Sequence, residues 1–280
     1  MTTVDLAVGP IDYEDTGTGS VLVFLHGMLM DGSLWTDTVA ALSGDHRCVV
    51  PTLPFGAHRR PVRPSADLSL PGIARLVTDF LDALDLRDVT LVGNDTGGAV
   101  AQVVMGAAGP RIARVVLVSC EAFDNFPPGL TGRTLMLAGK LPPALFGVFM
   151  QQMRLRAMRR LPIAFGRLTR RGDAATARWL RPILTRPEIR RDAVRMLRAA
   201  GADPGLLLRV AGKLPAFDRP VLVVWASEDR VMPPGHGRRL AALLPKGEYA
   251  EIDDSYTLIP LDQPRRLAEL IRSGTAGPPA

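Results

Sequence analysis

The sequence is poor in cysteine and in aromatic residues, and it has no long apolar run. Its two cysteines, Cys48 and Cys120, lie in apolar strand-like stretches, which excludes a disulfide-stapled scaffold and indicates buried thiols in a reducing compartment. No uninterrupted apolar run reaches the roughly 20 residues that span a bilayer. Residues 1–5 lack a basic region followed by an apolar stretch, so we predict no signal peptide. We therefore expect a cytoplasmic protein without stable membrane insertion.

Acidic residues are scarce in one part of the chain. The net charge is +6, and residues 130–215 hold 18 Arg or Lys against 4 Asp or Glu. Such a block is compatible with nucleic acid, an anionic substrate or carrier, or a membrane surface. No glycine-aromatic RNA motif, zinc-finger spacing or basic-leucine heptad accompanies it, so we expect no nucleic-acid partner. The favoured interpretation is a solvated helical face whose arginines could meet an anionic group.

The stretch over residues 89–98 organises the rest of the sequence. A β-branched apolar run ends at Gly93, Asp95 follows, and Gly97 and Gly98 lead into a second apolar segment. The spacing Gly93-x-Asp95-x-Gly97 matches the G-x-S-x-G nucleophile elbow, with aspartate in place of serine. Glycine at both flanks allows a strained turn in which strand and helix approach closely. The helix N-terminus behind the turn would hold Asp95 ionised. An ordinary N-cap aspartate is the alternative.

Apolar runs alternate with amphipathic segments along most of the chain. This alternation predicts an α/β fold in which a mostly parallel central sheet is flanked by helices. Residues 121–219 break the rhythm with helical patterns that proline and glycine interrupt, and they contain no strand pattern. We predict a core formed by residues 1–120 and 220–280, and an inserted all-helical lid over 121–219. The predicted lid sits at the carboxyl edge of the sheet. Residues 273–280 are predicted to form a flexible tail.

Together these features resemble the α/β-hydrolase superfamily over the whole chain apart from the lid. His26-Gly27, after the third predicted strand, resembles the oxyanion-loop motif of that family. The resemblance implies an oxyanion hole made by the backbone N–H groups of Met28 and Thr96, and it places Asp229 as the acid of a catalytic triad. An aspartate at the elbow is similar to the haloalkane dehalogenase and epoxide hydrolase branch.

The histidine that this resemblance leads one to expect is missing. A carboxylate nucleophile forms an ester bound to the enzyme, and water activated by a base must release it. In the loop after the last predicted strand, the position of that base falls on Tyr256 or Thr257. Neither side chain is a base near neutral pH. The sequence thus predicts an incomplete triad, with Asp95, Asp229, Tyr256 and Thr257 as catalytic candidates. Tyr256 could also donate a hydrogen bond to Asp95 or to a substrate oxygen.

Further side chains are candidates for the pocket. His58 follows the fourth predicted strand at the expected edge of the sheet and is the candidate for a substitute base. His26 is more typical of a structural residue in the oxyanion turn, and Trp179 of packing than of a donor to a leaving group. The pocket candidates are His26, Gly27, Trp35, His58 and Trp179.

These residues favour an enzyme that acts on an apolar small molecule, such as an epoxide, a halide or a lactone-like compound, through Asp95. One alternative is an isomerase, cyclase or lyase that needs no cofactor and uses Asp95 as a general acid and base. Another is a catalytically silent protein that binds a small ligand. We expect no cofactor and no metal, and a monomer or a homodimer.

Overall fold

In a computed structural model, residues 2–107 and 109–275 are described. Eight strands lie in these residues: β1 (Thr2–Leu6), β2 (Gly9–Thr16), β3 (Ser20–Leu25), β4 (His46–Pro51), β5 (Val89–Asn94), β6 (Ile112–Val118), β7 (Val221–Ala226) and β8 (Gly247–Ile252). The α-helices are α1 (Thr36–Leu42), α2 (Leu70–Ala83), α3 (Thr96–Gly106), α4 (Gly129–Gly139), α5 (Pro143–Gln151), α6 (Arg156–Arg159), α7 (Asp173–Thr185), α8 (Pro187–Gly201), α9 (Leu206–Ala211), α10 (Pro234–Leu243), α11 (Ile259–Asp262) and α12 (Pro264–Thr275).

The strands form one sheet in the order β1-β2-β4-β3-β5-β6-β7-β8. β1 and β2 pair antiparallel, as do β2 and β4, and every later neighbouring pair is parallel. β5 is buried along its whole length, because helices cover both faces of the sheet and exclude water from its apolar side chains. The predicted fold class, a mostly parallel sheet flanked by helices, is confirmed.

The segment between β6 and β7 contributes no strand in its described residues. It contains α4 to α9, and several of its residues lie over the carboxyl ends of the parallel strands, where they line a cavity with Asp95. We call residues 121–219 the helical segment. At the other end of the chain, residues 273–275 of the predicted tail belong to α12, so the tail does not begin where it was predicted. Residues 276–280 lie outside the described residues.

Among the described residues, no helix combines the length and the apolar composition that crossing a membrane requires.

Close backbone packing shapes the turn between β5 and α3. A Cβ atom on Gly97 would lie 2.1 Å from the carbonyl oxygen of Leu25 in β3, and one on Gly93 would lie 2.5 Å from the carbonyl oxygen of Gly97. Both distances are far below contact distance. Glycine is therefore required here, as the sequence motif indicated, and the turn brings α3 against the end of β3.

We expect Gly97→Ala to destabilise the protein by about 2 kcal/mol or more, because the added methyl group meets rigid backbone. The matched control is Gly235→Ala in α10, where an added Cβ meets nothing within 4 Å. The control should be neutral or should stabilise the fold by up to about 1 kcal/mol. Urea unfolding followed by circular dichroism measures both changes. Equal midpoints for the two variants would contradict the close packing at Gly97.

Candidate active site

Asp95 sits at the turn between β5 and α3 in a conformation that side chains rarely adopt. Its φ is 55° and its ψ is −132°. For a residue with a Cβ atom such a conformation costs roughly 1–3 kcal/mol, and the surrounding fold must supply that free energy. The carboxyl group is buried, yet it lines the cavity beneath the helical segment. The surrounding fold thus holds the buried side chain of Asp95 at the edge of the sheet where the parallel strands end.

One oxygen of Asp95 is held by its neighbour in sequence. The backbone N–H of Thr96 donates to Oδ1 at 2.8 Å, and the Thr96 hydroxyl lies 3.1 Å from the same atom. A Cβ atom on Gly27 would lie 2.2 Å from Oδ1, so only glycine fits beside the carboxyl group. The predicted oxyanion donor Thr96 is therefore engaged by Asp95 itself.

The pKa of Asp95 is raised above its usual value. Burial is the main cause, since water no longer stabilises the charge. Hydrogen bonds from the backbone and hydroxyl of Thr96, and from the backbone of Met28, act in the opposite direction. The N–H groups of both predicted oxyanion residues thus favour the ionised form of Asp95.

Glu121, which was not predicted from the sequence, lies beside Asp95 and Thr96. It follows β6, is buried, lines the same cavity, and accepts a hydrogen bond from the Thr96 hydroxyl at 2.8 Å in one orientation of that hydroxyl. Burial, and then the charge of Asp95, raise the pKa of Glu121 well above its usual value. A neutral Glu121 can donate to the Thr96 oxygen while the Thr96 hydroxyl donates to Asp95. The Thr96 hydroxyl thus joins the carboxyl groups of Asp95 and Glu121.

A signal for Glu121 was present in the sequence. It is the first acid after the strand next to β5, and the carboxyl ends of parallel strands meet at one edge of a sheet. Glu121 was not among the predicted site residues because it is the first residue of the predicted lid.

Asp229, after β7, accepts a hydrogen bond from Thr257 of the last loop. Its Oδ1 accepts from the backbone N–H groups of Val231 and Met232 at 2.9 and 2.8 Å, and from the Thr257 hydroxyl at 2.8 Å. Its Oδ2 is buried and has no partner in the part of the chain that the structure describes. Burial raises the pKa of Asp229 to about 6. Of the two positions proposed for the missing histidine, the geometry places Thr257 against the acid.

Tyr256 faces elsewhere. The guanidinium carbons of Arg170 and Arg230 lie 4.5 and 4.7 Å from the centre of its ring. The residue does not line the cavity at Asp95, and its hydroxyl makes no hydrogen bond to that carboxyl group. The prediction that Tyr256 donates to Asp95 is therefore wrong, because two cation–π contacts hold the ring on another face of the loop.

Neither candidate histidine reaches the cavity. His58 is buried, its Nε2 lies 3.5 Å from Asp192 in α8, and its Nδ1 accepts from the backbone of Gly56. It does not line the cavity at Asp95, so its prediction as a substitute base is wrong. In His26, Nε2 accepts from the backbone N–H of Leu53 while Nδ1 lies 2.9 Å from the carbonyl of Gly27. Burial lowers the pKa of His26 to about 4, so the ring is neutral and structural.

The two tryptophans predicted for the pocket pack elsewhere. Trp35 is fully buried against Phe24, with ring centres 5.1 Å apart. Trp179 donates through Nε1 to the Ser33 hydroxyl at 2.9 Å. Neither lines the cavity, so their prediction as pocket residues is wrong. Both rings pack instead where the core meets the helical segment.

The cavity has a volume of about 230 Å³, and its wall is largely apolar. Six methionines line it: Met28, Met30, Met136, Met150, Met153 and Met158. Unbranched thioether side chains adapt to irregular ligands. The polar groups in the wall are few and include the carboxyl groups of Asp95 and Glu121. Among residues 2–107 and 109–275, no three His, Cys, Asp or Glu side chains are grouped as a metal site requires. The cavity therefore suits an apolar ligand whose reactive group lies next to Asp95.

Comparison with known proteins connects this geometry to a family. The family model for the alpha/beta hydrolase fold matches residues 20–264. Haloalkane dehalogenase 2 of Mycobacterium tuberculosis is 27% identical over 271 residues, which cover 95% of this chain and 92% of that protein.

Two solved structures share the fold. A thermophilic esterase from Thermogutta terrifontis superposes with a TM-score of 0.73 and 22% identity, over 98% of this chain and 97% of that one. An alpha/beta hydrolase fold protein from Burkholderia ambifaria superposes with a TM-score of 0.78 and 20% identity, over 97% of both chains. The family model and these relatives support an enzyme of the α/β-hydrolase type, and the chain belongs to the alpha/beta hydrolase fold family.

Proposed function

We propose that this protein is a hydrolase-type enzyme in which Asp95 attacks an electrophilic carbon of an apolar small molecule that carries an epoxide, a halide or a lactone-like group. The observation that carries the proposal is the carboxyl group of Asp95. One of its oxygens is fixed by Thr96, while the residue itself lines a largely apolar cavity. The mycobacterial relative supports an electrophile of this class, because it is named a haloalkane dehalogenase.

The proposed step forms one bond and breaks one. A lone pair on Asp95 Oδ2 forms a carbon–oxygen bond, which gives an ester bound to the enzyme. A halide leaves with the electron pair of its bond, or the epoxide ring opens to an alkoxide. An alkoxide needs a proton, and Glu121, whose pKa burial raises well above its usual value, lines the same cavity. A proton donor at this place favours the epoxide over the halide.

Release of the ester is the slow half of the proposed cycle. Thr257 stands where the acid Asp229 would orient a base, and neither His26 nor His58 lines the cavity. Loss of the base from a catalytic triad lowers turnover by about 10⁶ in a serine protease. We therefore propose that the ester accumulates on Asp95.

A second candidate function rests on the chain Asp95–Thr96–Glu121. Two carboxyl groups joined by one hydroxyl suit proton transfer without a covalent intermediate when one of them is protonated. An isomerase, cyclase or lyase would use Asp95 as base and Glu121 as acid. Trapping of an ester separates the two candidates, because only the first forms one.

We expect 1,2-epoxyhexane or 1-bromohexane to add one alkyl group to the protein, and peptide mapping to place it on Asp95. Asp95→Asn should reduce the adduct to background, because the amide lacks an anionic oxygen. The control is Asp79→Asn, an exposed residue of α2, which should react like the wild type. Intact-mass spectrometry measures the adduct. An adduct that persists in Asp95→Asn would exclude Asp95 as the nucleophile.

Thr257→His should supply the missing base. An imidazole at this position can hydrogen-bond to Asp229, as the Thr257 hydroxyl does. We expect it to release the ester about a hundredfold faster, within the usual range for general base catalysis. Alcohol or diol release is followed by gas chromatography, and a thermal melt confirms folding. The control Tyr256→His places the same ring on the arginine side of the loop and should not accelerate release. A folded Thr257→His protein that keeps its adduct would contradict the assignment.

The rate of adduct formation from 1-bromohexane, whose leaving group needs no proton, should rise with pH. Only ionised Asp95 attacks, and its pKa lies above the usual 3.8 because of burial, so the midpoint should exceed that value. Thr96→Val removes a hydroxyl donor that lowers this pKa, so the midpoint should move upward by about one unit. The control Thr134→Val changes another threonine in the cavity wall and should leave the midpoint in place. Initial rates between pH 4 and 9 give the midpoints, and a shift absent in Thr96→Val would refute the role of its hydroxyl.

A further inference from the structure

A second concavity in the helical segment is lined by charge rather than by apolar groups. Its volume is about 410 Å³, and we call it the arginine pocket. Its arginines are Arg156, Arg159, Arg160, Arg170 and Arg171, and Asp173 is the one acidic residue in its wall. The pocket is concave and roomy, so this part of the basic block is more than a solvated helical face. Such a surface concentrates anions.

Two arginines of this pocket have free hydrogen-bonding capacity. The Arg159 side chain is only 8% exposed, and its Nε–H has no partner in the part of the chain that the structure describes. A buried guanidinium N–H without an acceptor is costly, and an anionic oxygen would satisfy it. Arg160 is exposed and makes no ion pair with any carboxylate in the described residues. Both groups point to a ligand with several acceptor oxygens.

The positive charge of the pocket is only partly compensated. Asp173 pairs with Arg156 and Arg159, Glu228 with Arg170, and Asp254 with both Arg170 and Arg171. Glu228 and Asp254 are about half exposed, so solvent weakens those pairs. Arg230, whose guanidinium carbon lies 4.7 Å from the centre of the Tyr256 ring, adds a further positive charge nearby. These six arginines face four carboxyl groups, those of Asp173, Glu228, Asp254 and the buried Asp262, so the balance of charge stays positive.

The pocket is held in shape before any ligand binds. Asp262 accepts hydrogen bonds from the backbone N–H groups of Arg170 and Arg171, and from the Thr169 hydroxyl at 2.7 Å. The ring of Tyr256 supports the Arg170 guanidinium at 4.5 Å. Arginines fixed in this way lose less conformational freedom when they bind an anion.

The arginine pocket adjoins the cavity at Asp95. Phe165 lines both, so the apolar space and the charged space share one aromatic residue in their walls. We propose that the arginine pocket binds a phosphate group of a ligand whose apolar part occupies the cavity. Guanidinium groups bind phosphate through paired hydrogen bonds, and several of them suit its double charge better than the single charge of a carboxylate. This inference deepens the proposed function, because it assigns an anionic apolar molecule to the same site.

The test compares octyl phosphate, octanol and inorganic phosphate by isothermal titration calorimetry on the full chain at constant ionic strength. Octyl phosphate should bind at least about tenfold more tightly than either other probe, because only it fills both spaces. Arg160→Met should weaken octyl phosphate binding about tenfold and leave octanol binding unchanged. The control Arg266→Met removes an exposed arginine of α12 that does not line the arginine pocket, and it should affect neither.

Three results would overturn the inference. Octyl phosphate and octanol could bind alike, Arg160→Met and Arg266→Met could have the same effect, or inorganic phosphate could bind as tightly as octyl phosphate. The last result would assign the pocket to free phosphate without a link to the cavity. Octyl phosphate binding involves no covalent step, so it does not depend on nucleophilic attack by Asp95. Failure of the adduct experiment and failure of this one are therefore separate outcomes.

Discussion

The close approach of α3 to β3 is the constraint on which the site depends. Gly97 packs on the carbonyl of Leu25, and this contact fixes the turn that puts Asp95 in a strained backbone conformation. Gly27 then lies directly against the Asp95 carboxyl group, so the end of β3 and the end of β5 form one unit. The Asn94 side chain donates to the carbonyl of Thr257 at 2.8 Å and ties the last loop to the same turn. Strain at one residue is thus maintained by contacts from three parts of the chain.

Burial, rather than ion pairing, governs the charges at this edge of the sheet. Asp95, Glu121 and Asp229 are all buried, and desolvation is the largest influence on the pKa of each. All three pKa values are raised, so the folded state holds protons more tightly than the unfolded chain. For Asp229 this contribution favours folding at low pH and is lost as the pH rises through about 6. Near neutral pH the fold therefore carries carboxyl groups at a cost in stability, as is common where a structure serves chemistry.

The sequence patterns predicted the architecture and the positions of Asp95 and Asp229 after two buried strands. The apolar run before Gly93 and the run before Asp229 marked buried strands, and acids that follow such strands reach the ligand-binding edge. The same rule would have identified Glu121, had the predicted lid not begun there. The histidine candidate His58 failed for a different reason. Its partner Asp192 is distant in sequence, and no local pattern reveals a pairing across 134 positions.

The loop after β8 shows why one position could not be resolved from the sequence. Thr257 points to Asp229, while Tyr256 points to the arginine pocket, so neighbouring residues serve opposite faces of one loop. An alignment by motif cannot separate them, since a shift of one residue exchanges the two faces. The residue that faces Asp229 is Thr257, whose hydroxyl is not a base near neutral pH. The neighbouring Tyr256 supports the Arg170 side chain of the arginine pocket. The hydroxyl that faces Asp229 and the ring that supports Arg170 are thus adjacent features of the same short segment.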